Sequence, residues 1–285
     1  GAAVAAPLRA ARAAVAALPA RQRSGAAFRQ SVCRWCYGEM TVAELADVAI
    51  EVGLASVELL DPEEWPVVQA RGLTCAMPNA PRPPAAVAGG LGFIEWGWNR
   101  LDHHDWLVPA YEERLEAVAA AGLPNLICFS GNRGGLSDAE GLAHCVRGLR
   151  QITPAAERLG VTLCMELLNS KVDHPDYQAD RTRWGVALVE AVGSERFRLL
   201  YDVYHMQIME GDVIRTIRDH AGAIAHYHTA GVPGRHEIDD TQELNYPAIC
   251  RAIAETGFTG FLAQEFIPTR EPIAALRDAV TRCTV

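Results

Sequence analysis

The sequence lacks any run of 18 uncharged apolar residues, so it contains no segment suited to cross a bilayer as a helix. It is also poor in basic residues, with 26 Lys and Arg against 35 Asp and Glu and a formal net charge of −9. A surface of this sign repels the phosphates of nucleic acids and anionic membranes. We therefore expect neither nucleic acid nor a membrane as a partner.

No GxGxxG or GxxxxGK[ST] motif follows any strand-like segment, which argues against the nucleotide-binding open sheets. The eight cysteines are scattered, which is not the pattern of a small disulfide-stapled scaffold. Cys33 and Cys36 have CxxC spacing, but a zinc or redox site would need a second pair or a thioredoxin-like context. The role of this pair stays open.

The first 24 residues are rich in alanine and contain four interspersed arginines. A signal peptide needs an apolar stretch without such charges. We interpret residues 1–24 as a helical or frayed N-terminal extension and residues 25–285 as one catalytic domain. A cytoplasmic location is the expectation, and export after removal of a signal is the alternative.

The chain is rich in short apolar segments that alternate with helix signals, and its 285 residues are 49% hydrophobic. Thr41 and Glu44 form a capping box at the start of the first such helix, and Gly53 ends it. Alternation of this kind implies a parallel sheet, and eight units favour a single (β/α)8 TIM barrel over a doubly wound open sheet. The eight predicted strands are 27–33, 56–60, 73–77, 125–130, 161–167, 197–202, 223–228 and 260–266.

The last four predicted strands each end in a residue that can bind a metal. In a barrel of this type the active site lies at the carboxyl ends of the strands, where Glu166, Asp202, His228 and Glu265 stand. Converging carboxylates repel one another unless a cation binds them. Three carboxylates and one imidazole suit Mn²⁺, Mg²⁺, Co²⁺ or Fe²⁺ better than a structural zinc. We therefore predict one divalent metal held by these four residues, with His226 as the competitor of His228.

Five segments carry a resemblance to the xylose-isomerase-like TIM barrels, in particular the hydroxypyruvate isomerase family, with a wider kinship to the ketose 3-epimerases. The most specific is the Pro-Gly-Arg-His-Glu block followed by Glu-Leu-Asn-Tyr-Pro, and the resemblance extends from about residue 31 onward. The five segments are residues 166–171, 201–207, 231–237, 243–247 and 264–266.

This resemblance implies that Glu166 and Glu265 bind the metal and also act as the acid/base pair, and that His205 contacts a substrate oxygen. One departure is His228, where hydroxypyruvate isomerases typically carry Gln and ketose epimerases carry His. The exact substrate therefore stays open.

A metal in this setting suits a substrate with a carbonyl beside a hydroxyl-bearing carbon, because the cation stabilises the enediolate that forms when a proton leaves. Glu265 is the expected base and Glu166 its partner, although the reverse order stays open. Return of the proton to the adjacent carbon is isomerisation, as from hydroxypyruvate to tartronate semialdehyde. Return to the other face of the same carbon is epimerisation.

The expected substrate contacts are Lys171, His205, Arg235 and His236. Arg235 is suited to bidentate binding of a carboxylate or phosphate, although it also fits a surface turn. Glu58 is either a polar wall of the pocket or a helix-capping partner. Four tryptophans are candidates for a pocket roof or for core packing: Trp35, Trp96, Trp98 and Trp184.

Several other functions compete with a hydroxypyruvate isomerase. A ketose 3-epimerase or a keto-sugar lyase would use the same site. An endonuclease IV-like phosphodiesterase would need more His ligands and a basic groove, and a non-catalytic sugar-binding barrel is a further alternative. The expected partner is a small hydroxy-carbonyl compound or sugar, and assembly into a homo-oligomer stays open.

Overall fold

The computed structural model describes residues 26–285, so the predicted extension at 1–24 lies outside the described residues. The described chain forms one sheet of seven strands, and every strand pair in it is parallel. The strands are β1 (Arg29–Cys33), β2 (Ser56–Glu58), β3 (Asn125–Cys128), β4 (Thr162–Glu166), β5 (Phe197–Asp202), β6 (Ile224–Thr229) and β7 (Phe261–Gln264).

Helices connect the strands and cover the outside of the sheet. Short 3-10 helices at Arg34–Tyr37, Leu101–His103 and Ala221–Ala223 supplement them. The α-helices are α1 (Val42–Val52), α2 (Trp65–Gln69), α3 (Ala85–Ala88), α4 (His104–Ala120), α5 (Asp138–Leu159), α6 (Thr182–Val192), α7 (Val203–Met209), α8 (Val213–His220), α9 (Tyr246–Glu255) and α10 (Pro272–Arg282).

The sheet closes through an extended segment at residues 73–78. The strand order is β2-β1-β7-β6-β5-β4-β3, which leaves β2 and β3 at the two edges. Val57 N–H donates to Thr74 O at 3.2 Å on the β2 side, and Ile127 N–H donates to Pro78 O at 3.4 Å on the β3 side. The predicted α/β barrel is therefore confirmed.

The prediction of eight regular strands is wrong at residues 73–77, which make only an isolated bridge between Ser56 and Thr74. Side chains replace the backbone partners that a regular strand would have there. Ala76 N–H donates to Ser56 Oγ at 2.9 Å, and Asn125 Nδ2 donates to Ala76 O at 2.8 Å. These buried side chains satisfy the backbone N–H and C=O of Ala76, so the ladder need not be continuous there.

The strands are buried on both faces because helices cover one face and the barrel interior fills the other. Val32, Leu163, Leu199 and Leu262 are fully buried members of this core. Side chains with ionisable groups are also buried inside the barrel, and most lie at or near the carboxyl ends of strands. They are Glu58, Glu166, Asp202, His226, His228 and Glu265.

Capping residues set the limits of the long helices. The predicted capping box of Thr41 and Glu44 opens α1, and Gly53 ends that helix with φ of 89°. Ser137 and Glu140 form a second capping box at α5, the longest helix in the described part of the chain. Each Ser or Thr side chain accepts a backbone N–H that the helix itself leaves without a partner.

Replacing Ser137 by alanine is expected to lower the free energy of unfolding by about 1 kcal/mol, because Ser137 Oγ accepts from Glu140 N–H at 3.3 Å. Urea denaturation measures this change. Gln151→Ala is the matched control on the exposed face of the same helix, with an expected change below about 0.5 kcal/mol. Equal losses in the two variants would contradict the capping role.

Candidate metal centre

Four side chains converge at the carboxyl end of the barrel. Glu166 and Asp202 end β4 and β5, His228 is the penultimate residue of β6, and Glu265 follows β7 directly. One ligand atom from each lies within 4.8 Å of the others, and all four residues are buried. The structure thus brings together the four residues predicted from the strand ends, because parallel strands in register end at one rim.

His228 lies between carboxylates on both sides of its ring. Its Nδ1 is 2.8 Å from Glu265 Oε2 and 3.3 Å from Glu166 Oε1, and its Nε2 is 2.9 Å from Glu58 Oε1. Burial lowers the pKa of His228, but Glu265 and the other acidic neighbours outweigh burial, so the pKa lies well above its ordinary value. The imidazole therefore binds a proton that a cation would have to displace from Nδ1.

Asp202 is held by the helix that follows it. Its Oδ1 accepts from the backbone N–H groups of Tyr204 at 2.8 Å and His205 at 3.3 Å, as the N-cap of α7. Its Oδ2 lies 3.5 Å from the Arg235 guanidinium. Burial raises the pKa of Asp202 to about 8, against the opposing charge of Arg235. Oδ2 thus lies on the side of the cluster, where Arg235 approaches it, while Oδ1 fixes the side chain as the helix cap.

Arg235 and Trp35 orient Glu265. The Arg235 guanidinium donates to Glu265 Oε2 at 2.7 Å, and Trp35 Nε1 donates to Glu265 Oε1 at 2.7 Å. The guanidinium carbon also lies 5.0 Å from the Trp35 ring centroid and 5.2 Å from that of Tyr204. Burial raises the pKa of Glu265, but the charges of His228 and Arg235 outweigh burial and place the pKa well below its ordinary value. Glu265 is therefore an ionised carboxylate.

Glu166 differs from Glu265 in its electrostatic environment. Burial and the nearby charge of Glu265 raise its pKa, with His228 opposing them. Its Oε1 is buried and makes no hydrogen bond that meets the usual geometric criteria in the described chain, while His228 Nδ1 lies 3.3 Å from it. A buried carboxylate oxygen without a partner, beside two more carboxylates and an imidazole, fits a bound divalent cation.

His205 is positioned by Asn169. The Asn169 backbone N–H and its Nδ2 both approach His205 Nδ1, at 3.2 and 2.7 Å. Asn169 Oδ1 accepts two backbone N–H groups, which orients the amide so that its NH₂ faces the ring. His205 Nδ1 is therefore the acceptor, and the proton lies on Nε2, which has no hydrogen-bond partner. Burial, with Arg235, places the pKa of His205 well below its ordinary value, so this imidazole is a neutral donor.

A cavity of about 280 Å³ opens beside the cluster. Glu166, Glu265 and Arg235 form its polar wall, and most of the remaining lining is apolar. Such a volume is near the lower end for ligand pockets, roughly 300 Å³, and suits a small molecule. The other lining residues are Trp35, Leu59, Asn79, Arg82, Phe93, Ile94, Ile127, Phe129, Leu168 and His174.

The four tryptophans expected either at a pocket roof or in the core separate in the structure. Trp35 lines the cavity, whereas Trp96 stacks on His103 with ring centroids 4.0 Å apart. Trp98 packs against Tyr111 in the core. Trp184 is buried on α6. Only Trp35 among them therefore stands at the cavity.

Two of the predicted substrate contacts are not brought to the cavity. Lys171 donates to the carbonyls of Ile208 at 2.8 Å and Met209 at 3.1 Å, which places its ammonium at the C-terminus of α7. His236 is exposed, and its Nδ1 lies 3.0 Å from Ile267 O. Arg235 and His205 remain as the predicted contacts that face the cluster. Lys171 and His236 both lie in loops, and a sequence pattern does not specify the directions of loop side chains.

Sequence reasoning missed the positions of His174 and Asn169. His174 lines the cavity, with its ring centroid 5.4 Å from that of His205. Asn169 lies inside a segment that carries the family resemblance, which was the available signal for it.

Of the CxxC pair, Cys33 is buried and Cys36 half-buried, and both are free thiols. In the described part of the chain, no helix is long and apolar enough to span a bilayer.

Comparison with known proteins gives a family match over most of the chain. The model of the xylose isomerase-like TIM barrel matches residues 67–283. A 2-oxo-tetronate isomerase of Cupriavidus necator is 30% identical over 247 residues, covering 84% of this chain and 92% of that protein. A human protein named putative hydroxypyruvate isomerase is 27% identical over 266 residues, covering 91% of this chain and 87% of that protein.

Solved structures show the same architecture. A protein of Brucella melitensis described as an AP endonuclease of family 2 superposes with a TM-score of 0.75 at 26% identity, covering 87% of this chain and 97% of that one. A D-psicose 3-epimerase superposes with a TM-score of 0.71 at 15% identity, covering 90% of this chain and 96% of that one. The second likeness concerns the fold alone.

Proposed function

The chain belongs to the xylose isomerase-like TIM barrel family, and on that premise we propose that it is a divalent-metal-dependent isomerase that converts hydroxypyruvate to tartronate semialdehyde. The observation that carries this proposal is the buried convergence of Glu166, Asp202, His228 and Glu265. Relatives over most of the chain are named isomerases, which supports the same class of reaction here. Residues 25–285 would form the catalytic domain.

The proposed metal ligands are the four converging side chains, which would take Mn²⁺, Mg²⁺ or Co²⁺. A bound cation would polarise the carbonyl and hydroxyl oxygens of the substrate and so acidify the hydrogen on the hydroxyl-bearing carbon. Arg235, half-buried beside the cluster, would bind the substrate carboxylate. His205 would donate from Nε2 to a substrate oxygen, since Asn169 holds its Nδ1 as an acceptor.

Glu265 and Glu166 would move the proton. Glu265 has a lowered pKa and is ionised, so its carboxylate holds no proton and can accept the one that leaves carbon. Glu166 has a raised pKa, which suits the group that returns a proton to the adjacent carbon. Two carboxyl groups whose pKa values are pushed in opposite directions can divide the roles of base and acid. This supports Glu265 as the base and Glu166 as its partner.

The alternative outcome on the same site is a ketose 3-epimerase or a keto-sugar lyase. His228 favours it, because the resembling ketose epimerases carry His at this position. The site would then return the proton to the opposite face of the same carbon, or expel a neighbouring group in place of reprotonation. Arg235 and His205 would still bind the substrate, and Glu265 and Glu166 would still move the proton.

A substrate panel in D₂O tests the proposal. The Mn²⁺-loaded protein is incubated with hydroxypyruvate and with several ketohexoses, and products and deuterium content are read by NMR. We expect tartronate semialdehyde, with deuterium on the carbon that gains a proton, and no reaction in protein stripped with chelator. Epimerised ketose as the main product would support the alternative. Stoichiometric metal without deuterium exchange on any substrate would indicate a sugar-binding barrel.

A further inference from the structure

Glu58 takes no part in the proposed chemistry, yet it is a fully buried carboxylate next to the ligand cluster. We propose that Glu58 is a positioning residue of the metal centre, which holds His228 through Nε2 so that Nδ1 faces the metal position. The inference rests on the proposed function, because it concerns how one of the four ligands is oriented. It replaces both interpretations of Glu58 from the sequence, a pocket wall and a helix-capping partner.

The contacts of Glu58 link it to two imidazoles. Glu58 ends β2 and is 0% exposed. Its Oε1 lies 2.8 Å from His226 Nε2 and 2.9 Å from His228 Nε2. Oε1 is the only oxygen of this carboxyl group with a partner in the described chain, and an oxygen between two imidazole nitrogens accepts their hydrogens, which places a hydrogen on Nε2 of each ring. The carboxylate therefore determines which nitrogen of each ring remains for other contacts.

For His228 the remaining nitrogen is Nδ1, and the ligand cluster lies on that side. Nδ1 is 2.8 Å from Glu265 Oε2 and 3.3 Å from Glu166 Oε1. Imidazole ligands in metal sites usually donate their second N–H to a carboxylate or carbonyl, which fixes the ring and strengthens the ligand. Glu58 is placed to provide that contact for His228.

The same geometry gives His226 and His228 different roles. The two residues lie on one face of β6, and Tyr227 between them lies on the other. Their ring centroids lie 5.2 Å apart with an interplanar angle of 80°. His226 directs Nε2 to Glu58, and its Nδ1 has no hydrogen-bond partner in the described chain. His226 thus anchors Glu58, and His228 is the histidine that faces the ligands.

A second metal ion beside Cys33 is the competing interpretation of this region. Cys33, Glu58 and His228 each have a ligand atom within 4.8 Å of the others. The Cys33 sulfur lies 3.9 Å from His228 Nε2, the nitrogen that also contacts Glu58. One ring nitrogen cannot donate a hydrogen to Glu58 and bind an ion at the same time. The 2.9 Å contact with Glu58 therefore favours a hydrogen-bonded pair.

The test measures Mn²⁺ affinity by competition with a chelator in the full chain. Glu58→Ala is expected to weaken binding by about 10- to 100-fold, the usual effect of removing the carboxylate partner of a histidine ligand. Glu58→Gln keeps an acceptor oxygen and is expected to lose less, and it provides the measurement if Glu58→Ala fails to fold. In a His228→Ala background, Glu58→Ala should change the affinity by less than about threefold, because the residue on which it acts is gone.

Asp180→Asn is the matched control, since Asp180 is a buried carboxylate that pairs with Arg133 at 3.2 Å and with Ser170 at 2.5 Å, outside the ligand cluster. It should lower the melting temperature and leave Mn²⁺ affinity unchanged. A folded Glu58→Ala protein with wild-type affinity would overturn the positioning role, as would an equal loss in the His228→Ala background.

The stoichiometry of the wild-type protein separates the remaining outcomes. One Mn²⁺ per chain is expected. Two ions per chain, with one lost in Cys33→Ser, would overturn the inference in favour of a second metal site. A wild-type chain that binds no divalent ion would contradict the proposed function itself, whereas normal wild-type binding with no effect at Glu58 contradicts only this inference.

Discussion

Replacing Glu265 by glutamine is expected to lower turnover of hydroxypyruvate by about 10²- to 10⁴-fold, the range for loss of a general base. An amide cannot take the proton from carbon, whereas the Glu265 carboxylate is ionised because His228 and Arg235 outweigh its burial. The substitution keeps the size of the side chain and an oxygen toward Trp35 Nε1, so the fold should persist. Steady-state kinetics measures the loss, with circular dichroism as the check on folding.

Glu255→Gln is the matched control for this substitution. Glu255 is exposed at the end of α9 and pairs with Arg218 at 2.8 Å, so turnover should stay at the wild-type value. Deuterium exchange at the substrate carbon should fall together with turnover in Glu265→Gln and remain unchanged in Glu255→Gln. Near-wild-type turnover in Glu265→Gln would mean that the base is another residue, and Glu166→Gln would then test the reverse order.

Removing divalent metal with a chelator is expected to abolish turnover and to lower the melting temperature by roughly 5–10 °C, with Mn²⁺ or Co²⁺ restoring both. Binding at a ligand concentration 100 times Kd stabilises the folded state by about 2.7 kcal/mol. Loss of the cation would leave the carboxylates of Glu166, Asp202 and Glu265 to repel one another, since they are buried within 4.8 Å of one another. Steady-state kinetics measures turnover and differential scanning calorimetry the melting temperature, with elemental analysis as the check on metal content. Unchanged activity and stability in chelator would remove the metal from the proposal.

The affinity for Mn²⁺ should also rise with pH. Burial raises the pKa of Asp202 to about 8, and acidic neighbours raise the pKa of His228. Below these pKa values the two groups hold protons that a cation must displace, and above them the ligand atoms are free. Mn²⁺ binding should therefore weaken as the pH falls below about 8, and it should release protons from these groups. Affinity that is constant between about pH 6 and 9 would contradict this charge arrangement.

Local patterns in the sequence were sufficient to predict most of the fold. Apolar segments, the Thr41 capping box and the helix-ending glycines depend on neighbouring residues, so they are legible without tertiary contacts. The segment at 73–77 was the exception. Ser56 and Asn125 bond its backbone from other parts of the chain, and these bonds replace a regular ladder. No pattern within residues 73–77 reveals such partners.

The candidate site divides along the same line. The sequence by itself determined the four predicted ligands, because strands in register present their last residues at one rim of the barrel. Only the tertiary structure decided which loop residues face the cavity, and it directed Lys171 to the end of α7 instead. It also brought Glu58 to within 2.9 Å of His228, from which it is separated by 170 residues in the chain. Their contact exists because the barrel brings the interior side chains of β2 and β6 together, a consequence of closure that neither local segment encodes.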